Sequence, residues 1–258
     1  MKNILFEIKD KVAILTLNRP KVYNSFNRQM ALELQKRLDE CAENQSIRAI
    51  FLTASGKAFC AGQDLQEVTG PDALPLTTIL KEHYNPIIRR IRQIEKPVIC
   101  GVNGVAAGAG ANLALACDIT VAAESASFIQ AFSKIGLIPD SSGTFFLPRL
   151  IGMQRATASM MLGEKVSSKD AAAMGMIYKA IPDDQFPQEA LELALKLATM
   201  PTKGLGLTKR ALNQSLANDL ATQLEVEDEL QSLAGQTYDY EEGVQAFLEK
   251  RKPVFQGR

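Results

Sequence analysis

Asp140 and a glycine-rich turn earlier in the chain are the residues whose types could do chemistry together. Asp140 lies in the turn sequence Pro139–Gly143, downstream of a run that contains Gly104, Gly108 and Gly110. A glycine-rich turn that opens a helix presents unpaired backbone N–H groups, which suit a developing negative oxygen. A carboxylate beside such groups can remove a proton from carbon while the N–H groups hold the resulting anion. The two features predict a proton-transfer site.

Each feature also has a structural interpretation. Glycine and alanine runs let a helix and a strand pack closely, and aspartate is a favoured N-cap of a helix. A dinucleotide fingerprint is a weaker alternative, because Leu113 stands where its third glycine belongs and Gln130 where its acidic residue is expected. From these residues alone, packing, capping and proton transfer all stay open.

Composition narrows the class of protein. The chain has 258 residues, of which 46% are hydrophobic and 22% are charged, so a packed globular core is expected. Lys plus Arg and Asp plus Glu both number 29, and zero net charge argues against a general nucleic-acid or membrane-surface binder. Nothing in the sequence resembles a signal peptide, and no apolar run reaches membrane-spanning length. The four cysteines lie in apolar context, so we expect a cytoplasmic protein with reduced thiols. The single histidine, His83, has no neighbouring residues in the sequence that would complete a Ser–His triad.

Hydrophobic spacing predicts α/β units followed by a helical tail. The predicted strands are Ile4–Lys9 and Val12–Asn18, which form a hairpin, then Ile47–Thr53, a short strand ending near Cys60, Val98–Val102 and Met176–Ile181. Residues 66–76 are expected to form an exposed loop near a site, and Thr77–Glu95 a helix with a kink or break at Pro86. Arg89, Arg90 and Arg92 are expected on the solvated face of that helix. We predict a core over residues 1–198 and a helical tail over 199–258, with breaks at Pro201, near Asn218 and near Gly235.

Four stretches, taken in order, resemble the enoyl-CoA hydratase/isomerase (crotonase) family along essentially the whole chain. They are Phe59–Leu65, Lys96–Gly110, Gly136–Thr144 and Glu241–Arg251. The resemblance implies an α/β, crotonase-like spiral of strand–strand–helix repeats with a helical C-terminal region that assembles a homotrimer or a dimer of trimers. It also implies acyl-CoA thioester substrates and no separate cofactor, because coenzyme A is part of the substrate. Neither nucleic acid, metal nor membrane is expected as a partner.

The resemblance assigns roles to individual residues. The backbone N–H groups of Gln63 and Ala109 would hold the thioester oxygen as it becomes an enolate, so the geometry of their turns matters more than their side chains. Asp140, at a position used by isomerase-type members, would be the catalytic acid/base. Lys250, from a neighbouring subunit, would offer a cation to the CoA phosphates. The implied substrate- or CoA-binding positions are Ala61, Gly62, Asp64, Leu65, Gly108, Gly110, Phe132, Pro139 and Lys250.

The chain departs from the family's hydratases at two positions. Those enzymes carry two glutamates that handle water, and Asn112 and Phe132 stand at these positions here. One remaining carboxylate can remove a proton and return it elsewhere on the same dienolate. Apolar neighbours are expected to make Asp140 a stronger base by desolvation, and these are Phe132, Ile138, Phe145 and Phe146.

The expected function is therefore acyl-CoA isomerisation. Within the family, the likeness is to members that convert ring-1,2-epoxyphenylacetyl-CoA to an oxepin-type enoyl-CoA and that can isomerise 3-enoyl-CoA to 2-enoyl-CoA. The sequence does not separate these two substrates. An enoyl-CoA hydratase that uses other residues for water and a non-catalytic module that binds CoA esters stay as alternatives.

Overall fold

A computed structural model describes residues 2–69, 71 and 73–258 of the protein. Its strands are Ile4–Lys9 (β1), Val12–Leu17 (β2), Ala49–Ala54 (β3), Ala58–Cys60 (β4), Val98–Val102 (β5), Val105–Ala107 (β6), Ile119–Ala123 (β7), Ser127–Ile129 (β8), Lys165–Ser167 (β9) and Lys179–Ile181 (β10). Its helices are Arg28–Glu43 (α1), Leu76–Thr78 (α2), Asn85–Gln93 (α3), Ala109–Leu115 (α4), Gly143–Ile151 (α5), Met153–Leu162 (α6), Ser168–Ala173 (α7), Phe186–Ala198 (α8), Thr202–Ser215 (α9), Leu220–Ala234 (α10) and Tyr238–Leu248 (α11). A π-helical segment, Ile79–Tyr84, joins α2 to α3, and 3₁₀ helices cover Pro20–Val22, Leu65–Glu67 and Ala131–Ile135.

Two sheets run through the molecule. The larger sheet has the strand order β1-β2-β3-β5-β7-β10 and the smaller has the order β4-β6-β8-β9. Each consecutive pair of strands, β3 with β4, β5 with β6 and β7 with β8, contributes one strand to each sheet before the chain turns into helical segments. Neighbouring strands from successive pairs are parallel. This repetition is the predicted spiral of strand–strand–helix units.

The predicted N-terminal hairpin is confirmed. β1 and β2 pair antiparallel from Ile4 opposite Leu17 to Lys9 opposite Val12. Asp10 and Lys11 both have positive φ, 46° and 68°, as a two-residue turn requires when its twist matches that of the strands. β2 then pairs in parallel with β3 and so joins the hairpin to the spiral.

Helix α1 forms for the reasons that the sequence indicates. The side chain of Asn27 accepts a hydrogen bond from the Met30 N–H and caps the helix. The apolar positions Met30, Leu34 and Leu38 recur at helical spacing and are buried in the core.

The region from residue 66 to residue 95 differs in part from expectation. Pro86 lies in the first turn of α3, where its missing N–H is tolerated, and the π-helical segment lies just before it. The π-helical segment replaces the predicted break. Gly70, part of the predicted loop, lies outside the described residues.

The sequence predicts that the three arginines of α3 lie on its solvated face, and this prediction is wrong for two of them. Arg90 makes a two-pronged ion pair with Asp39 on α1. Arg92 is partly buried and donates to the Asp118 carboxylate at 3.0 Å and to the Asn213 side chain of α9. These contacts connect α3 to α1, to the region before β7 and to the helical tail.

The helical tail ends and restarts where the sequence predicts. α8 stops before Pro201, α9 before Asn218 and α10 before Gly235. The four cysteines are buried and carry free thiols, as expected. Among the described residues, none of the helices has both the length and the apolar character needed to cross a bilayer.

Candidate active site

The turn after β4 presents the backbone N–H of Gln63 to a cavity. The Phe26 N–H donates to Gly62 O at 2.7 Å, and the Asp64 N–H donates to Phe26 O at 2.8 Å. The Gly62 C=O and the Gln63 N–H belong to the same trans peptide group, so they point in opposite directions. Because Gly62 O faces Phe26, the Gln63 N–H points away from Phe26. It has no hydrogen-bond partner within the part of the chain that the structure describes.

A second turn, between β6 and α4, brings the Ala109 N–H to the same place. Gly108 has φ 54° and is the N-cap of α4, and its own N–H donates to Ile129 O at 2.9 Å. Ala109 is the first residue of the helix, so its N–H has no intrahelical acceptor, and no other described residue accepts from it. A Cβ on Gly62 would lie 3.7 Å from the Ala109 nitrogen. The two turns are therefore in contact, and the two N–H groups can converge on one oxygen.

Both turns and Asp140 line one cavity of about 620 Å³. Most of its lining is apolar, including residues of the π-helical segment and of the 3₁₀ helix that precedes Asp140. Among the described residues of the lining, Asp140 is the single acidic side chain. The cavity thus combines one carboxylate with two backbone donors in an apolar setting.

Asp140 is partly buried, and its environment favours a neutral carboxyl group. Burial raises the pKa of Asp140 above its usual value, while a hydrogen bond from the Ser141 hydroxyl, 2.8 Å from Asp140 Oδ1, lowers it in part. A base with a raised pKa holds an abstracted proton more strongly.

The capping interpretation of Asp140 does not fit the structure. Ser142, with φ 68°, is the N-cap of α5, and no side chain caps that helix. The Gly143 N–H donates instead to the main-chain oxygen of Asp140 at 2.8 Å. Asp140 lines the cavity, and its carboxylate caps no helix.

Asn112 and Phe132, the positions assigned to the hydratase glutamates, are both buried. Phe132 lines the cavity. Asn112 does not line it; its amide donates to the main-chain oxygen of Asp140 at 2.8 Å and accepts from Gln130 Nε2 at 2.8 Å. Neither side chain can act as an acid or base.

The structure corrects one expectation about the apolar neighbours of Asp140. Phe132 and Ile138 line the cavity with it, as predicted. Phe145 and Phe146 do not, because α5 directs them to a separate cavity of about 420 Å³ beside Arg92. The Arg92 guanidinium lies 5.2 Å from the centre of the Phe146 ring.

The other predicted binding residues fall into two groups. The cavity is lined by Ala61, Gly62, Leu65, Gly108, Phe132 and Pro139. Asp64, Gly110 and Lys250 are not among its lining residues. Asp64 pairs with Arg19 at 2.8 Å, Gly110 allows α4 to approach Cys60, and Lys250 is exposed after α11. Roles for these three in CoA binding stay predictions.

Sequence reasoning missed two side chains at the site. Tyr84 lines the cavity, and its hydroxyl donates to Gln63 Oε1 at 3.0 Å. Gln63 Nε2 donates in turn to Glu67 at 3.1 Å, so the side chain at this position connects its turn to the π-helical segment. Ser141 is buried against Asp140. Tyr84 is separated from Gln63 by twenty-one positions, and no local pattern reveals such a contact.

Comparison with known proteins identifies the family of the chain. Residues 7–258 match the model of the family described as "Enoyl-CoA hydratase/isomerase". The chain belongs to the enoyl-CoA hydratase/isomerase family. This fits the spiral of paired strands and the two backbone donors beside one cavity.

Relatives within the enoyl-CoA hydratase/isomerase family carry different activities in their names. The chain is 48% identical to the 1,2-epoxyphenylacetyl-CoA isomerase of Escherichia coli K12, with 100% of each chain covered. It is 46% identical to a probable enoyl-CoA hydratase of Rhodobacter capsulatus, with 99% of this chain and 98% of that one covered. The solved structure of an enoyl-CoA hydratase from Bacillus anthracis matches with a TM-score of 0.95 and 34% identity, over 99% of this chain and 100% of that one.

Proposed function

We propose that the protein is an acyl-CoA isomerase that moves a proton through a thioester enolate. The observation that carries the proposal is the cavity in which Asp140 is the single acidic side chain among the described lining residues, beside the N–H groups of Gln63 and Ala109. Asp140 removes a proton from carbon, the two N–H groups hold the enolate oxygen, and Asp140 returns the proton to another carbon of the same conjugated system. Removing one such donor typically costs about 3 kcal/mol of transition-state stabilisation.

The relatives and the cavity support a proposal for the substrate class. The relative that is 48% identical is named a 1,2-epoxyphenylacetyl-CoA isomerase, and the apolar lining suits a ring or a hydrocarbon chain. We infer that the substrates are ring-1,2-epoxyphenylacetyl-CoA, which gives the oxepin-type enoyl-CoA in phenylacetate catabolism, and 3-enoyl-CoA, which gives 2-enoyl-CoA. Coenzyme A is part of these substrates, so the proposal includes no separate cofactor. We also propose that the protein acts in the cytoplasm.

The second candidate is an enoyl-CoA hydratase, which the name of the Rhodobacter capsulatus relative favours. Water addition would need a group to activate water. The buried amide of Asn112 and the ring of Phe132 supply none. Incubation with crotonyl-CoA separates the two candidates, because the isomerase leaves it unhydrated.

Asp140→Asn tests the proposal. The variant should fold and bind acyl-CoA normally, because no helix depends on the carboxylate for a cap. Isomerisation of 3-enoyl-CoA and of epoxidised phenylacetyl-CoA, followed by absorbance and mass, should fall about 100- to 10,000-fold, as should α-proton exchange with D₂O. Asp184→Asn, at an exposed position, is the matched control and should keep full activity. If Asp140→Asn kept both activities within about tenfold of the parent, Asp140 would not be the base.

A further inference from the structure

The turn that carries Asp140 is held through its main chain by a buried amide. Asn112 is 1% exposed, and its Nδ2 donates to the Asp140 main-chain oxygen at 2.8 Å. Gln130, 4% exposed, donates from Nε2 to Asn112 Oδ1 at 2.8 Å, which fixes the orientation of the Asn112 amide. The Gly143 N–H donates to the same Asp140 oxygen. Two donors from different elements therefore set the position of this peptide group.

Gly143 leaves the space that the Asn112 amide occupies. A Cβ at position 143 would lie 2.3 Å from Asn112 Nδ2, which is far inside van der Waals contact. Any residue larger than glycine would have to displace the amide or the start of α5. The hydrogen bond between Asn112 and Asp140 thus depends on both positions.

The Asp140 carboxylate is held separately, through one of its two oxygens. Ser141 is 2% exposed, and its hydroxyl donates to Asp140 Oδ1 at 2.8 Å. Within the part of the chain that the structure describes, Oδ2 accepts no hydrogen bond. The Ser141 contact therefore leaves Oδ2 free to take part in proton transfer.

Ser141 and Ser142 adopt a backbone conformation that side chains rarely occupy. Their φ values are 49° and 68°, in the left-handed region where glycine is favoured. Two such residues in succession mark a local strain that the surrounding structure has to maintain. The strained turn is the one that places the Ser141 hydroxyl beside the carboxylate.

We propose that Ser141 and Asn112 are positioning residues for Asp140: the Ser141 hydroxyl orients the carboxylate so that Oδ2 carries the proton, and the Asn112 amide fixes the turn. The proposal rests on the proposed role of Asp140 as the base. The proposal gives the Asn112 amide a function that needs no acidic group, because the amide fixes the turn that carries Asp140 and does not activate water. A base that serves two carbon atoms in turn depends on such a fixed position, because small misplacements lower the rate strongly.

The two positioning contacts have different consequences for pH dependence. Burial raises the pKa of Asp140 and the Ser141 hydrogen bond lowers it in part, so loss of the hydroxyl raises the pKa further. The base works ionised, and the acid-side midpoint of kcat/KM should then move to higher pH. Asn112 bonds the main chain and not the carboxylate, so its loss should leave that midpoint in place. Among the described residues of the lining, the other titratable groups are Tyr84 and Lys134, and α4 contains none.

Ser141→Ala and Ser141→Gly together separate the hydroxyl from the backbone strain. Both remove the hydrogen bond, while glycine also relieves the left-handed conformation. Both variants should show the same upward shift of the acid-side midpoint and an approximately 10- to 100-fold loss of kcat with 3-enoyl-CoA, with KM within about twofold. Ser142→Ala is the matched control, because the Ser142 hydroxyl bonds the Ser141 main-chain oxygen and not the carboxylate. It should shift neither quantity.

Asn112→Leu and Gly143→Ala each disrupt the hydrogen bond between the Asn112 amide and the Asp140 main-chain oxygen. Leucine is similar in size to asparagine but donates no hydrogen bond, and the alanine Cβ displaces the amide. Each should lower kcat about 10-fold or more at an unchanged acid-side midpoint. If one of the two fails to fold, the other carries the test.

The outcomes separate this inference from the proposed function. An unshifted midpoint in both Ser141 variants, or full kcat in Asn112→Leu, would overturn the positioning roles even while Asp140→Asn is inactive. A fully active Asp140→Asn would instead overturn the proposed function itself.

Discussion

Asn112 and Phe132 stand at the two positions that the family resemblance assigns to the glutamates of hydratases. In this chain the Asn112 amide already makes hydrogen bonds to Asp140 and Gln130, and the Phe132 ring lines an apolar cavity. Placing two carboxylates there means burying two negative charges in a mostly apolar setting, which is costly. The site is therefore adapted to a single carboxylate at the level of individual contacts.

The combined variant Asn112→Glu with Phe132→Glu should gain water addition only weakly. The described lining of the cavity is mostly apolar and was not shaped around two further carboxylates and a water, and the variant loses the Asn112 donor to Asp140. We expect isomerase activity to fall by about tenfold or more, with hydration of crotonyl-CoA, followed as loss of 2-enoyl absorbance, rising just above background. Each single substitution serves as a control. If the unmodified protein already hydrates crotonyl-CoA as fast as it isomerises, this interpretation of positions 112 and 132 is wrong.

The residues of the site were predictable where their chemistry is local. Asp140, Gly62 and Gly108 stand in short motifs whose turns can be recognised from neighbouring residues alone. The Ser141 contact depends on a side-chain rotamer, and the Tyr84 contact with Gln63 depends on how the π-helical segment packs. The direction of Phe145 and Phe146 was predicted wrongly because it depends on how α5 rotates against its neighbours, which periodicity does not reveal.

At the scale of elements, a partly buried ionic cluster connects α9 of the tail to the larger sheet. The Asp118 carboxylate, just before β7, accepts from Lys209 of α9 at 2.7 Å and from Arg92 of α3 at 3.0 Å. It also accepts from the Val98 N–H of β5 at 2.8 Å. The Lys209 side chain is only 7% exposed, and burial lowers its pKa while Asp118 opposes the shift.

Lys209→Met should destabilise the protein by about 3 kcal/mol in urea unfolding. Breaking a buried ion pair leaves a charge without its partner, and Asp118 retains Arg92, which keeps the loss at the lower end of the usual range. Lys179→Met makes the same substitution in the exposed pair with Glu189 and should change stability by less than about 1 kcal/mol. Equal effects of the two substitutions would show that the cluster contributes no more stability than an exposed ion pair.

Long helices and strands with proline, asparagine or glycine at their ends were easier to predict than short ones. The breaks between α8, α9, α10 and α11 follow proline, asparagine and glycine signals and were found. Four strands were not predicted, the five-residue strand β7 and the three-residue strands β6, β8 and β9. The three-residue strands are too short for periodicity to detect. They become strands because each pairs with a neighbour in the smaller sheet, which is a tertiary cause.

At the scale of the whole molecule, large apolar side chains stay exposed on the single chain. Phe247 is 82% exposed, Leu220 75% and Met161 73%. The tail leucines are divided, since Leu207 and Leu230 are buried while others, such as Leu212 and Leu224, are exposed. Exposed apolar surface of this kind marks an interaction site.

We therefore propose that the protein assembles as a homotrimer or a dimer of trimers through this surface. Sedimentation at micromolar concentration should give a mass of three or six chains. Phe247→Glu, which places a charge on the exposed surface, should shift the distribution to smaller species, whereas Lys252→Glu, also exposed and near α11, should not. A monomer of the unmodified chain at that concentration would rule the assembly out.

We propose that Lys250 connects the assembly to substrate binding. It is exposed after α11, does not line the cavity of its own chain, and makes no ion pair within the described residues. The adjacent Arg251, by contrast, is paired with Glu242 and Glu249. Lys250 is thus available to the CoA phosphates bound by a neighbouring subunit, where it would act as a screened surface charge.

Lys250→Ala should raise KM for acyl-CoA by about two- to fivefold at low salt and leave kcat nearly unchanged. The difference should disappear at high salt, because exposed charges are screened. Lys252→Ala removes an equally exposed cation two positions away and should leave KM unchanged. If Lys250→Ala also leaves KM unchanged at low salt, Lys250 does not belong to the CoA site. An effect that persists in a dissociated monomer would mean that Lys250 acts within its own chain, contrary to its position away from the cavity.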